Sequence, residues 1–442
     1  MKKCLSASHR RPEHHVQQKS CELTTPHIIV LLVALAAVSI AYSAVLPVLP
    51  FLIERMGGLN DGGRIAMHTG LLTAAYTLAV AVGAPQWGKL CDRMGSRRII
   101  VLGLAGLTTT LTLFSLFENL YLIYLGRFLA GLFASAVPPA AMSIISGYKT
   151  SDEWKARRLS WIGLTLIAGA MIGPLFGGLA VRIAERSEWM DVGKFALTVP
   201  FLLTAVIAAM ATLLMQIIFP RCYSDERSES ASADASSQRQ GILLRLLMLA
   251  FIAAMGISFF HVLLTIRSKQ VLGLDSYQIG LMFFECSLVM FIVQAIVFSP
   301  LVKPFNTRYL IVPAFGLMIV GLMAIPYSDS FLTMLLSTSA VAAAAGVVSP
   351  ILIYWISLIA DAHKGESLGK QVAAASFGET SGAILSGLLL GFTAASFLPF
   401  LVIGPLLLAA LATSLRLPSI LLAFIKAASA PQQNAPDTVT VI

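Results

Sequence analysis

An all-α membrane protein, with twelve transmembrane helices divided into two six-helix bundles, is the fold the sequence predicts, and three observations predict it. The 442 residues are 57% hydrophobic and only 12% charged, far below the charged fraction of an ordinary soluble domain. The apolar residues gather in runs of about 20, enough to cross roughly 30 Å of hydrocarbon as a helix. The runs are continuous rather than alternating in period two. Since only helices and closed barrels satisfy backbone polar groups in lipid, helices are the reading that fits.

A polar tail, residues 1–27, precedes span 1, which is expected from Ile28 to Ile53. Span 2 follows from Ile65 to Trp87, span 3 from Ile99 to Phe117, span 4 from Leu120 to Ser146, span 5 from Leu159 to Ile183 and span 6 from Phe195 to Phe219. Residues 220–241 are rich in Ser and charge and nearly free of large apolar side chains, the composition of a flexible linker. They separate a first bundle, 28–219, from a second, 242–417. In the second lie span 7 (Ile242–Ile266), span 8 (Tyr277–Val302), span 9 (Tyr309–Tyr327), span 10 (Phe331–Ile359), span 11 (Leu368–Phe392) and span 12 (Phe397–Leu415). Residues 418–442 read as a second tail.

The cations are distributed unevenly. Of 31 Lys and Arg, 23 fall on or near the side of the N-terminus and 7 on or near the other, with Arg127 left inside a span. The positive-inside rule then places both termini in the cytoplasm. The net charge of +9 is thereby explained as orientation, and no nucleic-acid partner is expected. The first apolar run follows a tail too long and polar for a signal peptide and is expected to stay as an anchor. Five cysteines without CxxC spacing suggest neither a disulfide framework nor a zinc site, and His14, His15, Cys4 and Cys21 of the tail show no repeating ligand spacing.

Between spans 2 and 3 lies a short, strongly charged stretch, Gly88-Lys-Leu-Cys-Asp92-Arg93-Met-Gly95-Ser-Arg97-Arg98. A shift of 211 residues carries it onto Ser299 to Tyr309 between spans 8 and 9, where Leu301, Asn306 and Arg308 answer Leu90, Gly95 and Arg97 and Lys303 replaces Asp92. Related halves around a central site are a recurrent transporter design. The stretch resembles the signature loop of the major facilitator superfamily, matched at Gly88, Asp92, Arg93, Gly95, Arg97 and Arg98. The resemblance implies a gate loop in which the carboxylate and arginines hold the two bundles together while the cytoplasmic side is shut.

Two further motifs extend it. Span 5 carries Gly163-Leu-Thr-Leu-Ile-Ala-Gly169-Ala-Met-Ile-Gly173-Pro174-Leu-Phe-Gly177-Gly178, small residues at spacing four that make a face for close packing. The core at Gly169, Gly173, Pro174, Gly177 and Gly178 is similar to the family's antiporter motif, which separates exporters from importers. Leu46-Pro47-Val-Leu-Pro50-Phe51 at the end of span 1 resembles the drug:proton antiporter branch. Arg127 stands where the family has an arginine implicated in proton transfer, although Ala130 replaces the glutamine usual before the glycine.

Buried charge marks the remaining candidates. Arg127 lies about 10 Å inside span 4 by the helical rise, where a guanidinium costs several kcal/mol unless it meets water or a partner. Glu379 falls near the middle of span 11 and Glu285 eight residues into span 8. An ionised carboxylate at either place is expensive unless paired, so each is a candidate proton carrier, a site for a cationic substrate group, or a structural hydrogen-bonding residue. Tyr42, Tyr76, Tyr354 and Trp355, with His261 of span 7, are candidate walls of a substrate cavity, packing being the alternative. No Gly-x4-Gly-Lys-Ser/Thr loop, nucleophile motif or metal cluster occurs, so no enzyme, cofactor or metal is expected. The expectation is a monomeric antiporter in the cytoplasmic membrane, drawing on protons and the bilayer to expel a small drug-like molecule. A metabolite such as a siderophore is the alternative cargo, and a sensor or scaffold the alternative role.

Overall fold

The computed structural model describes residues 23–57, 62–116, 119–146, 148, 151–186, 196–220, 237–297, 307–359, 364–392 and 402–415. Among the described residues there is no strand, and eleven helices are long and apolar enough to cross a membrane. Val402–Leu415 is a shorter apolar helix in the place of span 12. Most of the N-terminal tail, most of the linker, most of the loop that answers Gly88–Arg98 and the C-terminal tail lie outside the described residues.

Prolines cut two of the predicted spans. Span 1 is two helices, Thr25–Ser43 and Leu49–Gly57, joined by a turn over residues 44–48. Pro47 and Pro50 cannot donate the backbone bonds that would carry the helix through. Span 4 is likewise Leu120–Ala134 and Val137–Ser146, because Pro138 and Pro139 lack the N–H groups owed to the preceding turn. The chain crosses that break with an i to i−3 bond, the Ala136 N–H donating to the Phe133 carbonyl at 3.2 Å.

Elsewhere the helices outrun their apolar cores. Span 2 runs over Gly62–Met94 and span 3 begins at Ser96, so the charged stretch is helical except at a single residue. Gly95 has φ +86, a left-handed conformation that glycine adopts without penalty. Its N–H donates to the Cys91 carbonyl at 2.8 Å and closes the last turn of span 2. Span 5 covers Asp152–Arg186 and span 7 Ser237–Gln270, which turns the last residues of the expected linker into the first turn of a helix. Spans 8, 9, 10 and 11 are Ser276–Val297, Thr307–Ala324, Phe331–Ile359 and Lys364–Phe392, and span 6 is Val199–Ile218.

Spans 1 to 6 pack a core that includes Leu31, Leu35, Leu72, Ile99, Ile145 and Phe201. The later spans form two cores, one around Phe259, Met282 and Met318 and one around Phe315, Ile351 and Trp355. The halves meet along span 2 against span 11 and span 5 against span 8. At these seams backbone touches backbone. A side chain on Gly70 would fall on the Ala383 carbonyl and the backbone of Gly387, and one on Gly280 on the Pro174 carbonyl. Gly178 lies as close to Ser276 and Tyr277. All these residues sit in the halves of their helices remote from Gly95, so the seams close at the end of the molecule opposite the charged stretch.

That same end carries several polar contacts between the halves. Lys269, at the end of span 7, lies 2.5 Å from the Glu54 carboxylate and donates to the Pro50 carbonyl at 3.1 Å, with its ammonium 4.5 Å from the Phe51 ring centre. Gln270 donates to the Gly62 carbonyl at 2.8 Å, and the Arg182 guanidinium lies 4.7 Å from the Tyr277 ring centre.

Candidate functional site

Span 4 delivers Arg127 to the interior. Asn119 caps the helix, its side chain accepting from the Tyr121 N–H at 2.9 Å. Ile123, Arg127, Ala130, Gly131 and Ala134 then form its buried stripe at the three- and four-residue spacing of one helix face. Gly131 lets span 4 approach until its Cα–H side meets the Tyr76 carbonyl of span 2. The approach leaves the Arg127 guanidinium 4.7 Å from the Tyr76 ring centre and 5.9 Å from that of Tyr42. The two phenol rings are themselves stacked, centres 4.7 Å apart and planes 28° from parallel.

Arg127 is only 2% exposed, and its Nε and Nη2 have no hydrogen-bond partner among the described residues. Two aromatic faces compensate part of that cost, a desolvated cation–π contact being worth about 2 kcal/mol. Glu379 of span 11 completes the group from the other half of the protein, close enough to act electrostatically on both Tyr42 and Tyr76. No described residue donates a hydrogen bond to its carboxylate. Of the four, the guanidinium keeps its charge at any physiological pH and phenols titrate near 10 in water. A carboxyl is the group built to take up and release a proton. The next residues of the two helices, Thr77 and Thr380, are hydrogen-bonded to each other at 3.0 Å.

Glu285 has a different setting. Ser339 of span 10 donates to its Oε1, Thr338 donates to Oε2 at 3.4 Å and the Cys286 thiol to the same oxygen at 3.6 Å. Both oxygens are satisfied, and the result ties span 8 to span 10 within one half. His261 is half-buried, wedged between Phe260 and Phe283 at 5.6 and 5.4 Å between ring centres.

Two of the expected cavity residues are placed elsewhere. Trp355 is 2% exposed, packed in the core with Leu246, Phe315 and Ile351, and Tyr354 packs against that same core. An aromatic pair on an apolar helix cannot declare from sequence whether it faces a cavity or a core. The structure brings together Tyr42, Tyr76, Arg127 and Glu379 and leaves Glu285, Tyr354 and Trp355 outside that group.

The antiporter-like motif lies along the broken span 1. Side chains on Gly169, Gly173 and Gly177 would strike Ser39, Ser43 and the Ala44 backbone, so the helix that carries Tyr42 is pressed directly onto span 5. Ser39 donates to the Leu166 carbonyl at 2.6 Å and Ser43 lies 3.3 Å from that of Gly169. Gly178 instead faces span 8. The gate-loop residues sit at the far end. Arg97 donates to the Phe219 and Gln216 carbonyls of span 6, both at 2.9 Å. Arg93 and Arg98 are exposed, Gly88 has open space beside it, and the side chain of Asp92 lies outside the described residues.

Sequence reasoning missed Thr77, Thr380, the Lys269–Glu54 pair and a 2.9 Å hydrogen bond between His68 and Tyr124 of spans 2 and 4. One signal was available for Thr77: Thr69, Thr73 and Thr77 form a polar stripe at spacing four in an otherwise apolar span, the first two bonding back to a carbonyl of the preceding turn.

Residues 31–331 match the family model described as Major Facilitator Superfamily. The chain is 23% identical to the Multidrug resistance protein 2 of Bacillus subtilis (strain 168) over 76% of its length and 82% of that protein's. It is 21% identical to the Quinolone resistance protein NorA of Staphylococcus aureus (strain MRSA252), covering 78% and 85% of the two chains. With the Tetracycline resistance protein, class B, of Escherichia coli, the likeness is 28% identity over 46% of each chain. Among solved structures the fold is similar to the human organic anion transporter MFSD10 (TETRAN), with TM-score 0.66, 18% identity, 88% of this chain and 98% of that one. It is also similar to a bacterial homolog of the human lysosomal transporter Spinster in an inward-facing, occupied conformation, with TM-score 0.64, 15% identity, 91% of this chain and 94% of that one.

Proposed function

The chain belongs to the major facilitator superfamily, and on that footing we propose that it is a proton-coupled exporter of small, drug-like organic molecules. The observation that carries this reading is Glu379, a carboxyl without a hydrogen-bond donor among the described residues, within electrostatic reach of two stacked tyrosines of the other half of the protein, over which the buried Arg127 lies. A proton carrier needs a group that can be charged in one arrangement and neutral in another. A carboxyl whose neighbours change when the halves move has that property. The phenols, themselves under the field of Arg127, set the electrostatic surroundings. Glu285, whose oxygens are both engaged, is a tie between spans 8 and 10 rather than a carrier.

Relatives named for multidrug, quinolone and tetracycline resistance support a small organic cargo. The Tyr42–Tyr76 stack suits one with a planar apolar face. The distribution of Lys and Arg favours cytoplasmic termini in the inner membrane, which makes the Gly95 end cytoplasmic and the Lys269–Glu54 end external. The arrangement described is then closed at the outside, as a state that accepts cargo from the cytoplasm needs to be. The chain's role is transport rather than catalysis, and a single copy holds every part named here.

The test is proton flux in proteoliposomes of known orientation, read by an internal pH dye while planar cationic dyes, quinolones or anionic metabolites are added. Proton movement that depends on one of these classes supports antiport and names the cargo class. Cargo movement without protons overturns the coupling.

A further inference from the structure

Span 11 is gripped along two faces. At about 100° per residue, Gly378 and Gly382 share one face, and the room their side chains would need is taken by the Phe251 and Met255 carbonyls of span 7. Thr380, Ala383, Gly387 and Gly391 share a second face, centred about 165° from the first. It meets span 2 at Thr77, Gly70, Met67 and Gly63. Glu379 lies between the two faces, about 80° from each. Which way its carboxyl points therefore depends on how span 11 is rotated between its two grips.

Glycine against backbone sets a distance but is tolerant of rotation. The directional contact on the span 2 face, among the described residues, is the hydrogen bond between Thr77 and Thr380, at 3.0 Å. Both residues are buried, at 2% and 6% exposure, where a hydrogen bond is stronger than at a wet surface. Thr380 lies 2.8 Å from the Ser376 carbonyl, which takes its hydroxyl proton. Its lone pairs are left to accept from Thr77, whose hydroxyl stands closer to Thr380, at 3.0 Å, than to the Thr73 and Ala74 carbonyls of its own helix, both at 3.3 Å. The residues joined are the immediate successors of Tyr76 and Glu379, so the bond places one phenol and the carboxyl in register across the seam.

We infer that Thr77 and Thr380 are positioning residues for proton exchange at Glu379, their hydrogen bond fixing the rotation of span 11 at which the carboxyl faces Tyr76 and Tyr42. The inference rests on the reading of Glu379 as the proton-exchanging group. When the halves rotate apart this bond breaks, and Glu379 leaves the phenols in the same movement. Neither threonine touches the proton; each acts through the angle of a helix.

The test uses the full-length protein in lipid nanodiscs, with the infrared absorbance of carboxyl groups followed against pH and the Glu379 band identified by its loss in Glu379→Gln. Thr380→Val and Thr77→Val should each change the protonation constant of that band about fivefold, the value of one hydrogen bond, and Thr380→Ser should restore it. Tyr76→Phe should change it too, and the double variant Tyr76→Phe, Thr380→Val no further than the larger single change, because the register is already lost. Wild-type titration in the two valine variants, or additive changes in the double variant, overturns the inference while leaving Glu379 as the carrier. The absence of any titrating band lost in Glu379→Gln overturns the Glu379 reading itself and the inference with it. If Thr380→Val does not fold, Thr77→Val breaks the same bond from the other half.

Discussion

Lys269 and Glu54, residues of opposite halves, stand 2.5 Å apart as an ion pair at the end where the two seams close. Lys269 is the more enclosed partner, 11% exposed against 48% for Glu54, and its ammonium also reaches the Pro50 carbonyl and the Phe51 ring. A pair this open to solvent contributes at most about 1 kcal/mol. We expect Lys269→Met to raise labelling of a cysteine introduced at Met67 by an impermeant thiol reagent about threefold to fivefold from the outside. Labelling equal to the parent would remove the pair from any role in closure.

Added bulk at the seam should do more than a lost charge. A Cβ on Gly387 would lie 2.8 Å from the Gly70 Cα and 3.1 Å from the Met67 carbonyl, and overpacking of this kind costs about 1–3 kcal/mol. Gly387→Val should hold the seam of spans 2 and 11 apart, with higher external labelling at Met67 and transport reduced at least tenfold. Normal transport in a variant that still folds would show that the seam need not close.

Glu379→Gln keeps the size of the side chain and removes the exchangeable proton. Efflux driven by a pH gradient should fall at least a hundredfold while the amount of protein in the membrane and binding of cargo in the absence of a gradient persist. The variant should also lose dependence on pH across the range where the parent responds. Glu285→Gln, by contrast, should retain gradient-driven efflux and lower the thermal midpoint, since one of the two oxygens that accept from Ser339 and Thr338 becomes an amide NH2.

Arg127→Lys preserves charge and discards the planar guanidinium that lies over Tyr76 and Tyr42. An ammonium is a more strongly hydrated point charge and a poorer fit to a buried aromatic site. Transport should drop about tenfold or more, and thermal stability should fall by up to about 2 kcal/mol, the scale of a desolvated cation–π contact. A lysine variant with parental kinetics would mean that charge alone is needed there.

At the charged stretch, Gly95→Val places a β-branched side chain at φ +86, a conformation such residues rarely adopt. The variant should unfold at lower temperature, whereas Gly95→Asn should come close to the parent because asparagine tolerates the left-handed region. Asp92→Asn, which alters charge but not the turn, should slow turnover without that loss of stability.

How much of this was legible in the sequence depended on whether one residue's chemistry was enough. The helices announced themselves because apolar length in lipid leaves few alternatives, and Gly88–Arg98 did so because its residue types and place coincide. Arg127 and Glu379 were visible because charge inside an apolar run is costly anywhere. Their companions were not. Tyr42, Tyr76, Arg127 and Glu379 lie on spans 1, 2, 4 and 11, and nothing local separates Tyr76, buried against Tyr42 and Arg127, from Trp355, buried with Phe315 and Ile351. Glu285 and Glu379 look alike in one dimension, and only the hydroxyls arriving from span 10 distinguish them. The breaks in spans 1 and 4 were foreshadowed by Pro47, Pro50, Pro138 and Pro139, but hydrophobic length alone drew the helices straight through.

The seams between the halves are made where glycines leave bare backbone, at Gly70 and Gly387 and at Gly178 and Gly280. A joint of this kind has no rotamers to freeze when it shuts or to release when it opens, because glycine carries no side-chain entropy. Its two surfaces can meet and part many times over without any side chain having to find its place again, so the rhythm of the cycle is left to the few directional contacts laid across it.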